Sequence, residues 1–429
     1  MTGETRNNMQ LSQDRAEIVG SYLRSLGFRS VNVSWAGSDE PADTAQSAEA
    51  YARNRRVDLT RSVPSLEQPI DSPAVQGART PYPAMDAALP EPAPRTCCTL
   101  FPGGMVGFKR TEYLDPASLR GHRYGESGLF PRDPVGLAYT ARGGFIDLGH
   151  VRDLADTTRY IASQALAGLR DGVAIPLAVE GGQRTVEVKA SPVPEQDIQL
   201  AAGIGARAAY ELAVWHEIVT WFNNVSYSSF SPEDNFSNLL GALIGRTAIC
   251  TPATDYDLAV DDAIDAAMYM LVGQPADVAV RAIEAVSGLW YNPENDVVGT
   301  YFGGSREGSP LWRRHVAPLP AVTPWLVSDL DGLIFAVSDP TAGVTERIVD
   351  FNLGQPRPVA LTLGIPETTT GGLVLSEFYD LAVDVDTSVV SAAVLPNGRS
   401  TISGGDLSAI VGAVRDEIRG ERANGDVPN

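Results

Sequence analysis

The chain has 429 residues, 44% of them hydrophobic, and a formal net charge of -20. Its length exceeds what one hydrophobic core usually supports, so more than one domain is expected. The acidity argues against nucleic acid, whose phosphates call for clustered Lys and Arg, and against an anionic membrane surface. Three cysteines, the adjacent Cys97 and Cys98 and the distant Cys250, make no disulfide framework. No apolar run is long enough to span a bilayer. The opening MTGETRNNMQ lacks a basic stretch followed by an apolar one, so taken literally it is a cytoplasmic start. Residues 11–26 carry a helical period, with Leu11, Ile18, Tyr22 and Leu26 near one face. Ser30–Trp35 alternates as a strand does, Ala45–Asn54 reads as a second helix and Arg55–Thr60 as a second strand. These make a small α/β unit over residues 1–62.

Two runs in that unit, NNMQLSQDRAEIVGSYL and AEAYARNRRVDL, resemble the later part of an OmpA-like peptidoglycan-binding domain. The matching motifs are Asn8–Ala16 at the helix start and Asn54–Val57 at the close. The resemblance implies that Asn8 and Arg15 contact peptidoglycan, with Arg15 helping to grip the diaminopimelate of the peptide stem. The family's partner Asp would fall just before Met1, and its first strand and first helix have no counterpart here. The unit therefore reads as a start-truncated domain with weak peptidoglycan binding. By resemblance the protein belongs to the bacterial periplasm or cell envelope, although the chain shows no signal peptide.

Val63–Arg95 is rich in Pro, Ala and Ser and reads as an extended linker. A large mixed domain is expected over 96–420, followed by a tail at 421–429. Gly-punctuated segments come first, over Thr96–Phe108, His122–Phe130 and Tyr139–Phe145. Asp147–Leu169 reads as a helix. Val173–Val179 and Thr185–Lys189 read as a β-hairpin across EGGQ. Ala206–Phe222 is an Ala-rich helix, and Ser231-Pro232-Glu233-Asp234 a helix start with Ser231 as N-cap. Asp257–Val272 and Ala276–Leu289 form a helical pair about Gly273–Pro275. The helical core thus spans about 147–290. Beyond Trp312 the segments Leu333–Asp339, Pro358–Ile365, Glu377–Asp386 and Val389–Ile402 read as strands, with PNGR as a tight turn, before a last helix at Leu407–Arg419. The fold class is α+β: a partial α/β OmpA-like unit, a linker, then a helical core with a β-rich C-terminal part.

Only four histidines are present. His150 stands between Asp147 and Asp153, three residues from each, and positions three apart on a helix lie about 60° apart around the axis. It shares the core stripe of Leu154, Thr157 and Ile161, whereas Asp156 falls on the far side as a solvated charge. His216 shares a face with Ala209 and Ala213, which points it inward, and Glu217 flanks that face. If the helices pack together, His150, Asp153, His216 and Glu217 are the catalytic candidates. His150, His216, Asp147 and Glu233 are the candidate ligands of a divalent metal such as Zn, Mn or Fe. Metal-free acid–base chemistry by Asp–His pairs fits the same residues, as does a buried Asp–His bond that only holds helices in register. His-Glu in WHEIVTW lacks the second His of a zincin, and no Ser lies in a nucleophile elbow. His122 and His315 carry no assigned role.

Five further segments, TCCTLF, LAYTARGGFIDLGHVRDLADTTRYI, LAVWHEIVTWF, FSPEDNFSNLLG and VTPWLV, are together similar to the bacterial domain of unknown function 4056, from about Arg95 into the C-terminal region. The resemblance implies one large domain after the linker and an envelope association, and carries no activity. Two functions are expected as alternatives. One is an envelope hydrolase, metal-dependent or not, delivered to peptidoglycan. The other is a non-catalytic, wall-anchored structural or partner-binding protein.

Overall fold

In the computed structural model the chain divides into two compact units, residues 1–63 and 64–429. The structure describes residues 13, 85, 89–95, 105–106, 109–110, 112–128, 131–191, 197–223, 228–251, 255–291, 311, 313–316, 319–329, 344–354 and 359–423. The two segments that carry the expected OmpA-like resemblance, with Asn8 and Arg15, lie outside the described residues apart from Gln13, as do most of the expected linker, Cys97, Cys98 and the expected strand at Leu333–Asp339.

The larger unit opens with a two-residue antiparallel pair, β1 (Met105–Val106) and β2 (Lys109–Arg110). A hairpin follows, β3 (Leu137–Thr140) and β4 (Gly144–Asp147), buried on every residue. Its tip is fixed by Thr140, whose hydroxyl accepts from the Gly143 N–H at 3.0 Å and donates to the Gly144 carbonyl at 3.1 Å. Gly144 sits at φ +66, with the Trp325 carbonyl oxygen where a Cβ would be, which only glycine tolerates. β4 runs straight into helix α1 (Leu148–Gly168). Asp147, the last strand residue, caps that helix by accepting from the N–H groups of Gly149 (2.6 Å) and His150 (3.3 Å).

A second hairpin, β5 (Val173–Leu177) and β6 (Gly182–Val188), precedes α2 (Asp197–Phe222), α3 (Asp234–Cys250), α4 (Tyr256–Leu271) and α5 (Ala276–Ala285). Every residue of α3 is buried, as expected of a helix enclosed on all sides. Its neighbours are α1, α2 and α4. After β7 (Ala321–Val322), α6 (Val344–Leu353) and β8 (Leu363–Gly364) come β9 (Tyr379–Val385), β10 (Thr401–Ser403) and the last helix α7 (Leu407–Ala423). β9 adds to β6 and β10 adds to β9, giving one antiparallel sheet in the order β10-β9-β6-β5. β9 alternates buried and more exposed residues, its inner face against α2.

The β-rich C-terminal part is therefore no separate layer; its main strands complete the sheet that the early hairpin begins. Two expected strands shrink. Pro358–Ile365 retains only Leu363–Gly364, and Val389–Ile402 retains only part of β10. The Pro396–Gly398 turn is a short 3-10 segment with Asn397 at φ 55 rather than a hairpin tip. Helix α3 starts three residues after Ser231, with Glu233 in the cap position and no side-chain cap bond. Ser231 instead donates its hydroxyl to Glu233 at 2.6 Å. At the supposed linker's end, Arg95 is buried and Pro90 accepts from the Tyr124 hydroxyl, so residues 89–95 pack with the main unit. No helix among the described residues is long and apolar enough to cross a membrane.

Helix α1 is approached closely by both neighbours at glycines. A Cβ on Gly241 of α3 would lie 2.4 Å from the Val151 carbonyl oxygen, and one on Gly245 would lie 2.8 Å from that of Ala155. On the α2 side, Gly205 meets the Thr158 carbonyl oxygen at 2.4 Å. These obstacles are backbone atoms, which cannot step aside as a side chain can. Gly241→Ala should cost roughly 1–3 kcal/mol or more. Gly412→Ala, in the middle of α7 with nothing within 4 Å of the added methyl, should instead gain about 0.5–1 kcal/mol. Urea midpoints of the two variants should move in opposite directions.

Candidate acid–base site

The first turn of α1, the last turns of α2 and the start of α3 meet through the turn Ser228–Glu233. His150 projects from α1 with Nε2 3.3 Å from Asp234 Oδ1. The Asp147 N–H donates to the Ser237 hydroxyl at 2.9 Å, tying the start of α1 to α3. From α2, Glu217 is buried and accepts the Phe230 N–H at 2.5 Å, while its own carbonyl accepts from Ser229. Phe230 holds φ at 54, a left-handed backbone unusual for a bulky residue. Glu233 is buried, and its Oε1 has no hydrogen-bond partner among the described residues.

This is a crowd of carboxyls with too few cations. Burial, then the negative charge of Asp234, pushes the Glu217 carboxyl up to about 7, and the nearby His216 and His150 only partly oppose this. Burial and the Asp234 charge likewise raise Glu233 well above the usual carboxylate range. Near neutral pH the cluster thus retains protons on carboxyl groups.

The structure brings together His150, Asp147, Glu217 and Glu233 from the sequence-derived set, with Asp234 added. His216 sits beside them but turns outward. Its side chain is 47% exposed, and Nδ1 lies 2.5 Å from Glu180 Oε1 in the turn between β5 and β6. The Ala face that suggested an inward His does not include this ring, because the hairpin turn supplies an acid at the surface. Partial loss of water around the ring works against its charged form, but the bond to Glu180 and the charges of Glu180 and Glu217 outweigh it, so the His216 pKa is raised. Glu180 is correspondingly held low, its own burial being outweighed by His216 and Arg184.

Asp153 belongs elsewhere. It accepts from the Arg95 backbone N–H at 3.0 Å and from Arg95 Nη1 at 2.9 Å. The same guanidinium reaches Asp133 at 2.8 Å and Asp156 at 2.9 Å. Asp156 is therefore buried in an ion network, not solvated, and His122 Nε2 lies 3.0 Å from its other oxygen. Burial pushes Asp153 up to about 7 despite Arg95. Burial of Asp156 is outweighed by His122 and Arg95, which hold it low.

His315 is the site residue that spacing gives no hint of. It is buried, stacks on Trp325 with ring centroids 5.0 Å apart, and places Nδ1 3.3 Å from the Pro232 carbonyl. Burial drives its pKa down to about 4, with the Pro232 carbonyl and the Asp234 charge opposing only in part. Among the described residues no group of three His, Cys, Asp or Glu side chains is arranged to hold one metal ion. Asp147 is committed to capping α1 and His216 to Glu180.

Residues 121–306 match the model of a family described as protein of unknown function (DUF4056). No curated protein and no solved structure matches the chain.

A carboxyl whose folded-state pKa stands above its unfolded value binds more protons when folded, so stability falls as pH rises between the two values. For Glu217 that window runs from 4.5 to about 7. Glu217→Gln should therefore leave stability unchanged near about pH 4 and raise it by roughly 2–3 kcal/mol near about pH 8. Denaturant midpoints at the two pH values read this directly; equal effects at both would show that folding does not raise the Glu217 pKa.

Proposed function

We propose that the larger unit is a hydrolase working by general acid–base chemistry at the His150 cluster, within a bacterial cell-envelope protein. The observation that carries this reading is the pairing of His150 with Asp234 beside two carboxyls whose protons are retained to near-neutral pH. An imidazole oriented by a carboxylate is a competent base toward water, and a carboxylic acid with a pKa near 7 is a competent proton donor to a leaving group. In this reading His150 is the catalytic base, Asp234 positions it, and Glu217 supplies the proton. Water would attack the scissile carbon as His150 takes its proton, and the departing oxygen or nitrogen would take the proton held on Glu217. Peptidoglycan is the proposed partner, on the strength of the motifs at Asn8–Ala16 and Asn54–Val57. The proposed location, the periplasm or envelope, rests on the same motifs.

A second reading is a non-catalytic, wall-anchored protein. It is favoured by the way Asp147 and Glu217 accept backbone N–H groups, as purely structural carboxylates do. A divalent metal such as Zn remains part of the proposal only through the shared donor types, and metal analysis of chelator-free protein tests it.

The deciding measurement is release of soluble fragments from purified sacculi across the neutral pH range. The parent chain should release them with a rate that falls above about pH 7, as the proton on Glu217 is lost. His150→Ala should lower the rate about a hundredfold or more while circular dichroism stays unchanged. Absence of release by the parent, or full activity in folded His150→Ala, would overturn the hydrolase reading in favour of the second.

A further inference from the structure

Beside the acid–base site, on the far side of His315, lies a cavity of about 540 Å³ between α7 and the segments around Trp290 and Trp325. The volume is that of a pocket for a small organic molecule. Its lining is unusual for a chain of net charge -20: four arginines, Arg313, Arg314, Arg415 and Arg419, against one carboxylate, Asp329. Two of the four have other work. Arg314 donates to the Ser229 carbonyl and lies over the Trp221 ring at 5.1 Å, and Arg419 lies 3.7 Å from Asp416 on the surface.

Arg313 and Arg415 have no carboxylate partner among the described residues. Arg313 is partly buried, and burial lowers its hold on its proton with no neighbouring charge to offset the effect. The Nε of Arg415 is buried and has no hydrogen-bond acceptor. A desolvated guanidinium without an anion is costly, and buried donors are almost always satisfied. The half-buried Trp325 adds an apolar wall, its ring tilted against the buried Trp290 with centroids 5.7 Å apart. The fork of a guanidinium matches carboxylate and phosphate oxygens, and an indole wall suits an apolar body.

We infer that this cavity is a binding site for a small molecule bearing a carboxylate or phosphate, its oxyanion held by Arg313 and Arg415 and its apolar body packed beside Trp325. The assignment does not depend on hydrolase activity next door, since it rests on unpartnered cations and aromatic surface.

The test uses the full chain with 1-naphthoate, 1-naphthyl phosphate and the neutral 1-naphthol, followed by calorimetry and by quenching of tryptophan fluorescence. At least one anion should bind, with 1-naphthol at least about tenfold weaker. The preferred anion identifies carboxylate or phosphate as the group recognised. Arg313→Gln and Arg415→Gln should each weaken the preferred anion about tenfold or more and leave 1-naphthol unaffected. If either variant does not fold, the parent's preference for anion over 1-naphthol, and its loss with added salt, still decides. No binding of either anion up to about 10 mM, equal binding of 1-naphthol, or anion binding indifferent to both substitutions would overturn the inference.

Discussion

The close crossing of α1 with α3 and α2 sets the geometry on which the rest of the larger unit depends. Gly241 and Gly245 bring the α3 backbone against the carbonyls of Val151 and Ala155, and Gly205 brings α2 against Thr158. The first of these contacts is one residue from His150, and Gly241 is two turns along α3 from Asp234. The helix spacing at that point therefore decides whether an imidazole on one helix reaches a carboxylate on the other. Ser237, receiving the Asp147 N–H, adds a polar tie at the same level. A larger side chain at Gly241 would push apart the two residues that form the proposed dyad as well as cost packing energy.

The same helix carries two charge clusters of opposite character. Toward its middle, Asp153 and Asp156 share Arg95 with Asp133, and His122 adds a further ring. There a fully buried cation faces several carboxylates, and its bonds reach from residue 95 to residue 156. Such a network is expensive to break and fixes one arrangement of chain segments distant in sequence. At the N-terminus of α1 no Arg or Lys is paired with Glu217, Glu233 or Asp234 among the described residues. The excess negative charge is relieved by holding protons. Asp153 in the first cluster and Glu217 in the second are both pushed up to about 7, but only the first surrounds a buried guanidinium.

Much of the helical core was legible because its periodicity is local. The bounds of α1 and α4, the start of α5 and the β5–β6 hairpin follow from apolar spacing, an acidic cap and Gly-Gly turns within a few residues, while α5 ends at Ala285, short of the expected Leu289. The sheet was not, because β6 finds its partner β9 nearly two hundred residues on, and no local pattern encodes which strand joins which. Convergence of His150 with Glu217 and Glu233 could be anticipated from their placement on helices, whereas two errors came from long-range partners. Asp153 lies on the expected side of α1, yet Arg95 arrives from the supposed linker and takes it. His216 lies on an Ala-rich face, yet Glu180 from a hairpin turn draws it outward. His315 contacts a carbonyl 83 residues away, which leaves no spacing signal to read.

The run Arg313-Arg314-His315 shows how neighbouring residues of similar type part company once burial acts on them. Arg314 turns toward Ser229 and fastens the turn that presents the Phe230 N–H to Glu217. His315, pressed on Trp325 and the Pro232 carbonyl, is kept neutral down to about 4 and so adds no charge to Asp234 at neutral pH. Arg313 is left facing the cavity. A single short segment therefore braces the acid–base cluster on one side and lines the arginine cavity on the other. The Phe230 N–H bond favours the ionised form of Glu217 against burial, and Phe230 follows Ser229, the residue Arg314 holds, so the two sites share this wall.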